Sequence, residues 1–584
     1  MNEEPPGKWN QVFTGKRKWL AWFVVLAVVL FILVIFGMAS GYDQRGGIFA
    51  SIVVVISSVF ALLAIRFVRW LCCWRNFRRF LFGVACLVTL VALFYAEENW
   101  RGKRAWENHK RQWQAKGEKF TIAALMPPPV PDEKNFALTP TFKPALDFSR
   151  KPEGVVWRDT NGLAHLQTIR ADLRPNRSTN DSPALGSLEK GTFADLEACR
   201  EFYRGNTNYP QPVGPGKAAE DILVALGRFE PEIRELREAA TTRPYSRFPI
   251  EYDYEPAGAI LLPHLAHMKG LCNLTQVRAI AELELGRTTE AFADLKLGFR
   301  ISDSIRDEPL LIDHLVRIAT LAINLQTVRE GLVRHVWTDA QLAELEKYLA
   351  SVDVLAEYEL GMRGERAFGT SGLDWLRRQG FRTDVMNYIG NEDGGSASVP
   401  NIGFNPLPSG WFYQNMLTIS RMHQDFILTA VDAKARRVFP DVSEKLDSTL
   451  AVLPTRPYTI FAKLLMPALG RAVTKSARMQ TFADEARVAC ALERQRLANG
   501  KLPETLDALV PRFIERIPAD VVDGKPLRYQ LKPDGSYVIY SVGWNKTDDG
   551  GEAVYGRLGS WMKGTKPTHV DATKGDWVWQ MPAK

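Results

Sequence analysis

The sequence predicts a mainly α membrane protein: three closely spaced N-terminal transmembrane helices, then an irregular helical domain, then a C-terminal α+β module with a long helix and a small antiparallel sheet. Three observations predict it. Residues 1–96 contain three long apolar runs, residues 193–452 follow a mostly helical apolar period, and the chain after Asn499-Gly500 switches to strand-like alternation. At 584 residues the chain is also too long for a single core, so several units are expected.

The first span, 19–39, has no charged residue and is long enough to cross roughly 30 Å of hydrocarbon at about 1.5 Å per residue. The second, 48–65, carries Ser51, Ser57 and Ser58, whose hydroxyls can bond within the helix or to a neighbouring one. The third, 80–96, is shorter, with Arg78 and Arg79 placed to snorkel at one end and Tyr95 at the interface.

Lys and Arg in the flanks set the expected orientation. Lys8, Lys16, Arg17 and Lys18 precede the first span, and Arg66, Arg69, Arg75, Arg78 and Arg79 separate the second from the third, whereas the loop between the first two has only Arg45. The N-terminus and the Arg-rich loop are therefore expected in the cytoplasm and the large C-terminal part outside it, in an inner-membrane protein. Arg101, Lys103, Arg104, Lys110 and Arg111 after the third span argue the other way.

The net charge of +8 belongs almost wholly to the anchor. Residues 1–96 hold 10 Lys/Arg and 3 Asp/Glu, leaving 64 basic against 63 acidic groups in the rest. That balance leaves no electrostatic footprint for nucleic acid, and the expected partners are the lipid bilayer and other envelope proteins. Cys199, Cys272 and Cys490 are too far apart for a disulfide framework or a metal knuckle and are read as buried free thiols.

Residues 97–190 are expected as a connector. A charged helix from Glu98 to Glu118, with Trp100, Trp106 and Trp113 near one face, is followed by the stiff Pro127-Pro-Pro-Val-Pro131 run. The helical domain is placed at 191–455, with helices at 271–285 and 289–304 around Gly286, then at 310–332, 339–355 and 411–438, and a loop at 391–410. The pair around Gly286, with small residues at Ala279, Ala281, Ala291 and Ala293, resembles one tetratricopeptide-type helix pair, without a second copy at a fixed period.

In the last unit, 456–584, a helix from about Pro457 to Ala498 stops at Gly500, and alternation on both sides of Pro533-Asp534-Gly535 reads as a β-hairpin. The features Gly500 to Pro503, then Asp520, Gly524, Pro526, Leu527 and Tyr529, then Tyr540 to Gly543 resemble a C-terminal module of uncharacterised bacterial multi-pass membrane proteins. More loosely, they resemble the globular domain of type II secretion pseudopilins. The wider resemblance extends to Pro127–Asp132 and Gly575–Trp579, and that family brings no known activity. The chain departs from pseudopilins in having three spans in place of one processed helix.

The acidic loop after the hairpin supplies the metal candidates Asn545, Asp548, Asp549 and Glu552. Adjacent carboxylates flanked by glycines suit a hard cation such as calcium, and the pseudopilin resemblance implies the same ion, yet the same residues make an ordinary solvated turn. His264 and His267 share a helix face with Cys272 further on, which is either an incomplete zinc set or a pair of partly buried histidines. His314 and His335 stand alone. Glu365 and Arg366 read as a pocket carboxylate with its guanidinium or as a helix-surface pair. No nucleophile elbow, zinc-protease, phosphate-loop or dinucleotide signature occurs. The sequence thus leads to a membrane-tethered extracytoplasmic binding or scaffold protein of the bacterial envelope, with no catalytic residue assigned. The alternatives are a membrane-bound hydrolase with its site near His264, His267 or Glu365, and a secretion- or pilus-associated component.

Overall fold

The computed structural model describes residues 73–151, 154–171, 185–379, 407–556 and 569–582, with isolated positions from 59 to 70. Its chain divides into two compact units, Met1–Glu97 and Glu98–Lys584, the second called the body below. The expected span at 19–39 lies outside the described residues, and so does that at 48–65 apart from Val59 and Leu63, both helical and exposed. The loop expected at 391–410 is described only from 407.

Helix α1, Trp74–Gln114, contains the third expected span and is, among the described residues, the one helix long and apolar enough to cross a membrane. Leu81, Phe82, Leu87, Val88, Leu90 and Leu93 on it are all exposed. The sequence reading placed a span ending at Ala96 and a separate stalk helix after it. The two are instead one helix of 41 residues, about 60 Å long, because no proline or helix stop lies between them. Of its tryptophans, Trp106 is buried and Trp100 is not.

After the Pro-rich run comes a two-stranded hairpin, β1 (Phe148–Lys151) and β2 (Gly154–Trp157), and helix α2 (Thr160–Thr168). Helices α3 (Leu196–Arg204), α4 (Ala218–Leu226) and α5 (Glu230–Thr242) lead to the expected pair, α6 (His264–Glu284) and α7 (Thr288–Asp303). The pair turns at Gly286, whose φ of 73° suits a residue without Cβ, and Ala279, Ala281 and Ala291 are fully buried. Helix α6 begins seven residues earlier than expected, directly after Pro263.

Helix α8 (Leu311–Val333) follows as expected. The helix expected at 339–355 is two, α9 (Asp339–Ala350) and α10 (Val354–Gln379). Thr338 caps α9 by accepting from the Gln341 N–H at 3.3 Å while Gln341 accepts from the Thr338 N–H at 3.0 Å. Buried ion pairs cross-link these helices: Arg317 of α8 reaches Asp303 of α7 at 2.7 Å and Glu357 of α10 at 3.5 Å, and Asp294 of α7 holds both Arg237 of α5 at 2.6 Å and Arg278 of α6 at 3.3 Å.

The helix expected at 411–438 is corrected most. Helix α11 (Ser409–Met422) widens into a π turn over His423–Ile427, and the chain then forms a small hairpin, β3 (Val431–Asp432) with β4 (Arg437–Val438). Asp432 accepts from the Ala435 N–H at 3.0 Å to close that turn, and the Val438 N–H is taken by the Val521 carbonyl at 2.8 Å. Helix α12 (Pro440–Val452) leads to the long helix α13 (Ile460–Asn499). The hairpin of β5 (Arg528–Leu531) and β6 (Tyr537–Ser541) forms as expected. β9 (Trp577–Met581) adds to the other edge of β6, giving the antiparallel order β5-β6-β9, while β7 (Ala553–Gly556) pairs with β8 (His569–Gly575).

Every residue of α13 from Ser476 to Glu493 except Arg487 is buried. Phe482, Ala486, Val488 and Leu492 share one core with Leu325, Val328, Leu342 and Leu345 on one side and with Leu527, Ile539 and Trp579 of the sheet on the other. The boundaries expected at 190 and 455 therefore fall inside one compact unit. Within this core Trp337 is fully buried, stacks edge-on to Phe292 and donates its Nε1–H to the Val328 carbonyl at 3.1 Å. Trp337→Ala should cost about 3–5 kcal/mol. Denaturant unfolding of the purified protein should show a lower midpoint, and a loss below about 1 kcal/mol would mean this core is loosely packed.

Candidate functional site

The acidic loop is pinned by protein groups. Asp576, buried beneath it, accepts the N–H groups of Asp549 at 3.2 Å and Gly551 at 2.6 Å, while its own N–H donates to the Glu552 carbonyl at 2.9 Å. Asn545 donates to Asp549 at 2.9 Å, and Asp548 is paired with Arg528 at 3.0 Å. Arg528 bridges as well to Asp523 at 2.7 Å and Asp520 at 3.3 Å. The guanidinium thus places a positive charge against Asp548 of the loop. Among the described residues no group of three or more His, Cys, Asp or Glu is arranged to hold a metal ion. Asn545, Asp548, Asp549 and Glu552 lie in a turn held by Arg528 and Asp576.

The histidines do not converge. His264 is buried against Phe248, ring on ring at 4.0 Å, and burial pushes its pKa down to about 3. Half-buried His267 faces a recess of about 480 Å³ whose walls include Trp157, Leu166, Ile169, Arg170 and Gly270. Cys272 is fully buried, and its thiol donates to the Gly298 carbonyl at 3.6 Å. His314 bonds the Ser476 hydroxyl at 2.7 Å, linking α8 to α13, and His335 bonds Glu493 at 2.9 Å. Cys199, Cys272 and Cys490 are free and buried, as expected.

Glu365 and Arg366 part company. Burial pushes Glu365 up to about 7, while Arg366, fully buried, pairs with Glu118 at 2.8 Å, donates to the Lys119 carbonyl at 2.8 Å and lies over the Phe120 ring. Burial alone would raise the Glu118 carboxyl, but Arg366 and Arg363 beside it outweigh burial and hold it below its usual range.

That ion pair belongs to the arrangement that the sequence did not reveal, the joint by which the second half of α1 is built into the body. Gly102 and Gly410 bring α1 and α11 into backbone contact: a Cβ on Gly410 would lie 1.9 Å from the Glu98 carbonyl oxygen, and one on Gly102 would lie 2.3 Å from the Gly410 carbonyl oxygen. Glu98, nearly buried, accepts from Trp411 Nε1 at 3.0 Å and Gln414 Nε2 at 3.2 Å and is paired with Arg101. Asn99 accepts from the Gly410 N–H at 2.8 Å, and further along His109 bonds the Ser420 hydroxyl at 2.9 Å. Trp106 packs edge-on to Phe120 at 5.8 Å. The signals in the sequence were a glycine inside each helix and one tryptophan of a spaced set, none of which names its partner.

No protein-family model, characterised protein or solved structure matches the chain at a significant level.

Two outcomes test the joint. Gly410→Val should drive a side chain into the α1 backbone, cost about 3 kcal/mol or more, and open Arg101, Lys103 and Arg104 to trypsin; unchanged digestion would show that the helices can separate freely. His109 is held neutral, its pKa pushed down to about 4 by burial and then by Arg421 and Arg366. In an unfolded chain it takes its proton near 6.5, so its contribution to stability is full above 6.5 and is lost as pH falls toward 4. Over that interval the wild type should lose up to about 1.4 kcal/mol per pH unit more than His109→Gln, read from denaturant midpoints in a pH series. Identical acid limbs would mean that His109 is charged in the body.

Proposed function

We propose that the chain is a membrane-tethered binding or scaffold protein of the bacterial envelope, held by three N-terminal spans with its N-terminus in the cytoplasm and its body outside. The observation that carries the tether is α1: exposed and apolar over Leu81 to Phe94, it is buried at Glu98, Gly102, Trp106 and His109. A helix of that composition is stable with its apolar side chains in lipid, and a body that absorbs the helix's second half is built to be carried by it. The near-neutral charge of the body, and histidines that are spread out, with His109, His264, His314 and His423 buried, fit a role in protein contact more closely than one in catalysis.

The hydrolase alternative needs His264, His267 or Glu365 beside a second catalytic group. They are spread over α6 and α10, and His264 is stacked in a core. The pilus alternative draws on the sheet packed against α13, but a filament subunit needs that helix free to pack on its neighbours. In this body its middle is already buried from every side.

Reporter fusions after Ala96 and after Lys584 test the orientation. A periplasm-dependent phosphatase should be active at both sites and a cytoplasm-dependent fluorescent protein dark at both; the reverse pattern overturns the exported body. Affinity capture from detergent-solubilised membranes should then recover envelope proteins in fixed ratio to the bait, and recovery of the bait alone counts against a scaffold.

A further inference from the structure

We infer that the body makes a second contact with the bilayer, through the turn at 452–459 and the exposed face of the first turns of α13, which together form an interfacial patch for an anionic lipid surface. The inference rests on the tethering proposed above and extends it from a span to a surface.

The patch lies at a definite end of the body. Helices α1 and α11 run side by side in the same sense, because Gly410 meets Glu98 and Gly102 at one end while Ser420 meets His109 at the other. The start of α11 is therefore level with residues 98–102, the first residues of the body after the apolar run of α1. The start of α13 is fastened to this same level. Asn415 accepts from the Phe461 N–H at 3.1 Å and donates to the Pro457 carbonyl at 2.8 Å, and the Phe412 and Phe461 rings stack at 6.1 Å.

What that end presents is unusual for a surface facing water. Val452 is 80% exposed, Leu464 68%, Ile460 46% and Leu465 42%, and Trp100 on α1 is 62% exposed. Scattered apolar residues need no explanation, but here they share one end with the membrane exit. Along α13 the exposed face is apolar at Ile460 and Leu464 and becomes basic at Arg471 and Lys475. Arg456 in the turn is exposed, and Arg104 lies over the Trp100 ring at 5.2 Å. Apolar side chains with a tryptophan, bordered by cations, are the chemistry of a segment lying in the headgroup region, where the rings and aliphatic groups reach the acyl boundary and the cations meet lipid phosphates. The turn itself is ordered without lipid: Lys463 Nζ donates to the Leu453 carbonyl at 3.0 Å, and the Thr459 hydroxyl donates to the Pro454 carbonyl at 2.6 Å. No refolding is required for it to bind.

Photocross-linking of the full chain in vesicles of phosphatidylethanolamine and phosphatidylglycerol tests the contact. The photoreactive residue p-benzoylphenylalanine replaces Leu464, Phe82 in the apolar run, or Val213, which is fully exposed elsewhere on the body. Lipid adducts read by mass spectrometry should form at positions 82 and 464 and be at least several-fold weaker at 213. Adducts at 82 with none at 464 overturn the patch and leave the tether standing, whereas none at either position removes the tether itself. Cross-links from 464 to protein, whether to residues 380–406 of the same chain or to a second copy, also overturn it. As all three positions are exposed, the substitutions should leave folding intact, which the unfolding midpoint of each variant checks.

Discussion

The body depends on one constraint: α13 must be covered on all sides at once. Its middle turns are buried all round, the polar stripe Ser476, Gln480 and Asp484 included, so neighbours cover every face of it. Toward its N-terminal half Met466, Leu469 and Val473 join the core that holds Met416, Ile419 and Tyr358, and toward its C-terminal half Phe482, Ala486 and Leu492 join the core shared by α8, α9 and the sheet. Helical domain and sheet are thus two coverings of one helix. Neither covering is complete without α13, which makes a cut near residue 455 a cut through shared cores.

Local signals in the sequence were read well where the chain itself supplies the interaction. Gly286 turns α6 into α7, Gly500 ends α13 in a left-handed conformation, and Pro533-Asp534-Gly535 closes the hairpin with the Asp534 side chain accepting from the Ser536 N–H at 2.9 Å. The failures occur where a distant group takes over a backbone bond. The break between α9 and α10 is stabilised by Gln480 of α13, which accepts the Val354 N–H at 2.9 Å and donates to the Val352 carbonyl at 3.4 Å. The widening after α11 is met by Tyr358, whose hydroxyl donates to the Ile427 carbonyl at 3.1 Å. An apolar period continues through both places, and the local markers, Asp353 accepting from the Ala356 N–H at 2.9 Å and Asp432 from the Ala435 N–H at 3.0 Å, are single residues within it. β9 differs in kind, because Trp577, Trp579 and Met581 alternate and are buried, a strand pattern legible in the sequence itself.

The candidate sites follow the same division. An Asn-Asp-Asp-Gly-Gly-Glu composition serves a calcium loop and a plain turn equally, and nothing within it marks its ion-pair partner Arg528, 20 positions before Asp548. Beneath the loop Glu485 is fully buried with neither carboxyl oxygen hydrogen-bonded, and burial and then the neighbouring Asp520 push its pKa well above the carboxylate range. The joint between α1 and α11 was still less visible, since Asn99 and Gly410 are 311 positions apart and each glycine in isolation only weakens its helix.

The cations after the third span opposed export when they were counted as a free flank. Folding gives several of them other employment: Arg101 is paired with Glu98, Arg104 lies over Trp100, and Arg111 donates to the Asn108 side chain at 2.6 Å. A charge held against its own helix still resists crossing during insertion, but a large folded domain crosses largely regardless of such charges, whereas a short loop between two spans does not. The five arginines between the second and third runs are in a short loop of that kind. In the proposed topology they fix the orientation, and the basic residues around the start of the body are left to act where they stand, at the headgroups of the opposite face. In that topology the excess charge of the anchor sets how the chain is threaded, while exposed basic residues of a body near charge balance, Arg456, Arg471 and Lys475, set how it rests on the opposite face.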